Sequence, residues 1–207
     1  MSLDYEQQFY NDEIKLIVGT DEAGRGPLLG PVVAGAVILP RDFKCDLIQD
    51  SKKLSEKKRK EAYKIIKDNA IAVGVGIVSA QEIDKINIYQ AAKKAMILAI
   101  QDMNHDFDLV LTDAMPLKGT SYKYIDIIKG DAKAECIAAA SIIAKVTRDN
   151  MMEELDAKYP HYHIKDHKGY GTKAHMEALE KYGPIPGVHR LTFGPVSKIL
   201  NQQIKLF

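Results

Sequence analysis

The chain has no tryptophan, two cysteines, and aromatic residues at 7% of its 207 positions. Cys45 and Cys136 lie far apart without CxxC spacing, which speaks for packed or bland residues rather than a redox or metal pair; Cys136 sits in an alanine-rich helical run. No apolar run approaches the roughly 18 residues needed to span a bilayer, and no basic, then apolar, then small-residue pattern opens the chain. A soluble, cytoplasmic protein is expected. Charge of one sign is also missing: 29 basic against 28 acidic residues leave a formal +1. Overall charge therefore does not announce a nucleic-acid binder, and the basic residues must be judged by where they cluster. Internal repeats and low-complexity tracts are absent.

What is present is enough for one sizeable core, with 46% hydrophobic and 28% charged residues. The expectation is a single domain over residues 1–207, with about 160–207 as a C-terminal elaboration. The chain is organised around Leu16–Leu39, where two apolar, β-branched runs flank a Gly/Pro-rich connection, the pattern of a buried hairpin. Asp21 and Glu22 stand where the first strand runs into its turn. Adjacent strand residues point to opposite faces, so both serve one site only if the chain kinks there, as Gly24 and Gly26 permit. Arg25, held between those glycines, allows backbone N–H groups and a guanidinium to approach a phosphate or a sugar hydroxyl.

Around this hairpin the spacing predicts alternating strands and helices. Residues 1–13 are polar and read as a loosely held end or a short helix. Ser51–Asp68 reads as a helix with Ser55 as N-cap; Lys52 and Lys53 precede it and are phosphate candidates, whereas the later lysines suit a solvated face. Ile71–Val78 is a third antiparallel strand, and Ser79 to Glu82 a capping box opening one long helix, or two joined near Asn87. A strand over Phe107–Thr112 ends at Asp113, and another covers Tyr122–Ile128. A long helix follows over Ala132–Lys158, with Asp131 as N-cap candidate; a capping carboxylate can also ligate a metal. Lys145 and Arg148, three apart on it, are candidates to face phosphate, and Asp149 pairs locally. The segment from His161 carries His163, His167 and His175 without zinc spacing, so a basic, flexible nucleic-acid rim is expected. Helices near Thr172–Tyr182 and Pro195–Gln202 close the chain.

The run DEAGRGPLLGPVVAGAV from Asp21 resembles the signature of the type 2 ribonucleases H, specifically the bacterial ribonuclease HII family. DSKKLSEKKR from Asp50, LTDAMPL around Asp113, KGDAKAECIAAASIIAKVTRD from Lys129, HKGYGTKAH from His167 and HRLTFGPV ending at Val196 continue the match in order, over nearly the whole chain. The resemblance implies a ribonuclease H-like α/β fold: a five-stranded mixed sheet, three strands antiparallel and two parallel, flanked by helices, with a C-terminal helical extension. It implies Asp21, Glu22, Asp113 and Asp131 as metal carboxylates, Gly24, Arg25 and Gly26 as readers of the 2′-hydroxyl, and Tyr170 stacking on the sugar at the RNA–DNA junction. The implied substrates are RNA/DNA hybrids and DNA duplexes containing ribonucleotides, cut on the 5′ side to leave a 3′-hydroxyl and a 5′-phosphate. Arg25 and the short N-terminus argue against the related type 3 enzymes.

Convergence of four carboxylates is costly, roughly 4 kcal/mol per pair at 4 Å with an effective dielectric near 20, and cations or protons relieve it. All-oxygen ligation favours two Mg²⁺ or Mn²⁺ ions over zinc. A related metal-dependent DNA nuclease could use a similar acidic cluster but would not need the Gly24–Gly26 and Tyr170 sensors, and a non-catalytic duplex binder would tolerate loss of the carboxylates. Finally, Gln203–Phe207 resembles the pentapeptide by which bacterial replication enzymes dock on the sliding clamp; the alternative is packing of Ile204, Leu206 and Phe207 on the core. From the family, a monomer is expected.

Overall fold

The computed structural model describes residues 3–49 and 54–204. Lys52 and Lys53 fall outside these, as do residues 205–207 of the candidate clamp peptide. Strands β1 (Ile17–Ala23) and β2 (Val32–Ile38) form the expected antiparallel hairpin, and β3 (Ala72–Val78) extends it beside β2. Strands β4 (Leu109–Asp113) and β5 (Tyr124–Ile127) add in parallel on the other side of β1, giving the order β3-β2-β1-β4-β5. The helices are α1 (Asp46–Gln49), α2 (Glu56–Asn69), α3 (Ala80–Ile86), α4 (Ile88–Asp102), α5 (Glu135–Lys158), α6 (Ile164–His167), α7 (Lys173–Tyr182) and α8 (Gly194–Ile204). None among the described residues is long and apolar enough to cross a membrane.

Both faces of the sheet are covered, which is why β2 is apolar throughout rather than alternating. Val32, Ala34, Ala36 and Ile38 pack toward Ala91, Ala95, Met96 and Ala99 of α4, whereas Val37 packs toward Ala138 to Ala140 of α5 and Ala62 and Ile66 of α2. Close approach needs glycine: a Cβ on Gly19 would lie 2.1 Å from the Cys136 carbonyl carbon, and one on Gly76 would lie 1.9 Å from the Ala95 oxygen. Helix backbones therefore rest directly on β1 and β3, and the carboxylates carried by β1 are held in a rigid frame.

Local chemistry closes most elements where the sequence expects. Ser55 accepts from Lys58 N–H, Ser79 from Glu82 N–H and Thr172 from His175 N–H. The long apolar stretch divides in two at Asn87, whose φ of +65° breaks the helix and whose Oδ1 accepts from Gln90 N–H at 3.1 Å. Two strands are shorter than their apolar runs: Phe107 and Tyr122, just ahead of β4 and β5, instead pack edge to face at 5.4 Å. Helix α5 starts at Glu135, three residues later than expected, after a 3-10 turn over Gly130–Ala132. Its first N–H groups are satisfied by Glu6 from the N-terminal 3-10 turn, which accepts from Glu135 at 2.9 Å and from Cys136 at 3.2 Å. Of the two expected forms the polar N-terminus takes the short helix, anchored by the buried Glu6 carboxylate.

The C-terminal third packs against the β1–β2 connection. Leu29 sits with Met152, Tyr162, Ile164, Ala178 and Ile185, while Leu28 sits with Leu179, Val196 and Ile199. Folding thereby brings the segment carrying Tyr170 beside the Gly24–Gly26 turn.

Candidate active site and metal centre

Strand register assembles the acidic group. In the parallel pair β1 and β4, Thr20 is aligned with Thr112, so the next residues, Asp21 and Asp113, stand side by side at the carboxyl ends. After β5 the chain turns at Lys129 (φ +57°) and the 3-10 turn returns Asp131. Asp113 Oδ1 accepts from Gly130 N–H at 2.7 Å, tying that turn to β4. Ligand oxygens of Asp21, Asp113 and Asp131 all lie within 4.8 Å of one another. Three ionised groups so close repel by at least about 3 kcal/mol per pair at an effective dielectric of 20.

Burial first, then the charges of Glu22 and Asp113, push the Asp21 carboxyl well above the ordinary carboxylate range. Glu22 lies beside the three. Its Oε1 accepts from Arg25 at 3.2 Å, while its Oε2 is buried with no hydrogen-bond partner among the described residues. Burial raises its carboxyl against the lowering effect of Arg25. The expected bend at the strand end falls at Gly24, with φ of +98°, and β1 stays paired up to it through Ala23, opposite Val33. Alternation along an unbroken strand separates the two side chains, and Glu22 joins Asp131 in lining a neighbouring cavity of about 230 Å³. Asp131 is not the helix cap, since Glu6 supplies that function, and it turns to the cluster instead.

The other expected site residues divide. Tyr170 is 50% exposed, and a Cβ on Gly26 would meet its Cε1 at 3.4 Å, so the ring borders the Gly24–Gly26 turn. Arg25 projects outward and links that turn to the carboxylates through Glu22. Lys145 lines the same cavity as Glu22 and Asp131 and pairs with Asp149 at 2.7 Å. Arg148 does not face solvent: it is 1% exposed, and its guanidinium donates to the carbonyls of Leu29, Pro31 and Lys168 because the β1–β2 connection packs over that part of α5. His161 and His163 are exposed, but His167 and His175 are buried and stacked 4.3 Å apart, so two of the four histidines expected on the basic rim are interior. Sequence reasoning also passed over Arg59 and Ser141, which line the cavity beside Glu22. Ser141 and Lys145 share a helical face at i and i+4, a usable signal; Arg59 lay hidden in a lysine-rich run.

Residues 18–196 match the family model described as Ribonuclease HII. The chain belongs to the ribonuclease HII family. It is 55% identical over 192 residues to Ribonuclease HII of Bacillus subtilis, a match covering 93% of this chain and 74% of that one. Among solved structures it is similar to ribonuclease H2 from Pyrococcus horikoshii, with a TM-score of 0.78 and 27% identity over 92% of this chain and 99% of the other. It is also similar to the ribonuclease HII of Archaeoglobus fulgidus, solved as a complex with PCNA, with a TM-score of 0.71 and 28% identity over 86% and 95% of the two chains. The five-stranded mixed sheet is thus the ribonuclease H-like one, and the chain is an enzyme of the ribonuclease H class.

Proposed function

We propose that the chain hydrolyses the phosphodiester on the 5′ side of ribonucleotides, in RNA/DNA hybrids and at single ribonucleotides embedded in duplex DNA, leaving a 3′-hydroxyl and a 5′-phosphate. The observation that carries this reading is the contact between Gly26 and Tyr170 beside the cluster of Asp21, Asp113 and Asp131. A phosphodiester lying on the carboxylates would place its neighbouring sugar against the Gly24–Gly26 turn and the tyrosine ring, where the 2′-hydroxyl alone distinguishes RNA from DNA. Removal of misincorporated ribonucleotides and RNA primers in the cytoplasm follows as the biological role, with about 160–207 as the substrate-binding elaboration of a single, monomeric domain.

The donor set fits a hard divalent cation: it is all oxygen, it is crowded with negative charge, and Glu22 Oε2 is buried without a hydrogen-bond partner among the described residues. Asp21, Asp113 and Asp131, with Glu22, would hold Mg²⁺ or Mn²⁺, two of which would activate water and stabilise the leaving oxygen. The protein's own task is positioning. Arg25 and Gly26 hold the sugar edge, Tyr170 buttresses it, and Lys145, with Lys52 and Lys53 as further candidates, would neutralise adjoining phosphates. Tyr170→Ala and Arg25→Ala are expected to slow incision at a single ribonucleotide more than they weaken duplex binding; equal losses in a binding assay and a cleavage assay would remove the sensor assignment.

A second partner has its own support. The relative from A. fulgidus was solved with PCNA, and Gln203–Phe207 has the form of a clamp-docking peptide. Helix α8 continues through Ile204, so the first two positions of that peptide are helical here rather than extended. Deleting Gln203–Phe207 should abolish clamp binding and leave ribonucleotide incision intact; loss of thermal stability would assign the tail to the core.

A further inference from the structure

Two arginines are the largest side chains of the fully buried set, Arg148 at 1% and Arg190 at 0% exposure. Neither forms an ion pair among the described residues; their donors are spent on backbone carbonyls. Arg190 Nη2 donates to Gly24 O at 2.6 Å, Nη1 to Arg25 O at 3.0 Å and Pro27 O at 2.8 Å, and Nε to Gly30 O at 3.0 Å. Its backbone N–H donates to Leu28 O at 2.9 Å. Arg148 takes Leu29 O at 3.2 Å and Pro31 O at 3.1 Å, and its Nη1 reaches Lys168 O, two residues before Tyr170. Every carbonyl from Gly24 to Pro31 except that of Gly26 therefore accepts from one of these two residues, and Gly26 is where the Tyr170 ring lies.

Such an arrangement has a directional consequence. In a planar trans peptide the carbonyl oxygen and the following N–H point to opposite sides. With the Gly24 and Arg25 carbonyls turned onto the Arg190 guanidinium, the N–H groups of Arg25 and Gly26 point away from it. Neither N–H has a partner among the described residues. An interior cation without a carboxylate is costly in itself, and burial together with the charge of Arg148 lowers the Arg190 pKa to about 9, which still leaves it charged at neutral pH. A hydrophobic side chain of similar size would fill the space but would not orient the turn.

We propose that Arg190 is a positioning residue for ribonucleotide recognition: it draws the Gly24 and Arg25 carbonyls inward so that the Arg25 and Gly26 N–H groups face the sugar and phosphate of the substrate. Arg148 holds the far half of the same loop and couples it to the segment carrying Tyr170. The inference rests on the assignment of the Gly24–Gly26 turn to the ribose, and the test separates the two.

Arg190→Lys keeps the charge but replaces a planar fork with a single ammonium that cannot hold four carbonyls together. The readouts are single-turnover incision of a duplex with one ribonucleotide, Mn²⁺ binding by calorimetry, and thermal unfolding. Incision is expected to slow by about 10²-fold with Mn²⁺ affinity within about twofold of the parent and the variant folded at the assay temperature. A rate within about threefold of the parent, or an equal loss of Mn²⁺ affinity, overturns the proposal. Should the variant not fold, amide hydrogen exchange on the parent decides: fast exchange at Arg25 and Gly26 supports the outward N–H groups, and protection of both in the free protein overturns them. Tyr170→Ala distinguishes the two readings, since no effect of that change removes the ribose assignment, whereas a slow Tyr170→Ala beside a normal Arg190→Lys removes only the positioning role.

Discussion

Single residues divide into those whose role follows from chemistry and those whose role follows from packing. Asp21, Asp113 and Asp131 were named from the family motifs, because local sequence alone reads Asp131 equally well as a helix cap; the structure brings ligand oxygens of the three within 4.8 Å of one another. Arg148 was misplaced because a charged residue on a helix is exposed only if no loop covers it, and the covering loop lies 117 residues away from it in sequence. Asp21→Asn tests the repulsion directly. The amide Oδ1 can still accept from Glu22 N–H, so the strand survives, while removing a charge that repels each neighbour by roughly 3 kcal/mol should raise the melting temperature in chelator by several degrees. The same variant should lose at least about 10²-fold in incision and most of the thermal shift that Mn²⁺ gives the parent. A chelated variant melting below the parent would argue that the carboxylates do not repel.

At the scale of elements, apolar period and capping residues located the strands and the longer helices, with Ser55 and Ser79 capping as the sequence suggests, but not the one-turn helices α1 and α6. Also hidden was the start of α5, because its cap comes from Glu6, 129 residues away from Glu135, and no local pattern encodes a remote carboxylate. Glu6→Ala leaves the buried N–H groups of Glu135 and Cys136 without acceptors and should cost about 1–3 kcal/mol in denaturant unfolding. If stability is unchanged, water takes over the cap and the N-terminal turn is dispensable. The glycine contacts are equally non-local. Gly76→Ala would drive a methyl into the Ala95 carbonyl on α4, and expression of a stable, normally melting variant would contradict the direct seating of that helix on β3.

Across the whole molecule, the C-terminal third is tied together internally by histidines that need to stay neutral. Ile185 N–H donates to His189 Nδ1, which leaves the proton on Nε2 to face His175 Nε2 at 3.2 Å, and His175 Nδ1 then donates to the Tyr170 carbonyl. Each of these ring nitrogens already has its partner among the described residues, so an added proton on His189 Nδ1 would face the Ile185 N–H. Burial accordingly pulls His175 from 6.5 down to about 4 and His189 to about 3. Both folded values lie below the unfolded one, so their contribution is complete above pH 6.5. It is lost as pH falls, because the unfolded chain takes up protons that the folded chain refuses, and the loss levels off only near pH 4 and pH 3. His189→Asn, which keeps an acceptor for Ile185 N–H, should flatten the fall in stability between pH 7 and 5, by less than the about 1.4 kcal/mol per pH unit of a full proton. An unaltered slope would place the titration elsewhere.

The central claim is that one carboxylate cluster and one turn act together on a ribonucleotide, and the position of the cut tests it most directly. A labelled DNA duplex carrying one ribonucleotide, incubated with Mg²⁺ or Mn²⁺, should yield a single nick on the 5′ side of that nucleotide with a 3′-hydroxyl end, no nick with chelator, and none in the matching all-DNA duplex. Cutting of the all-DNA duplex, a nick on the other side of the ribonucleotide, or cleavage that survives chelation would contradict the account.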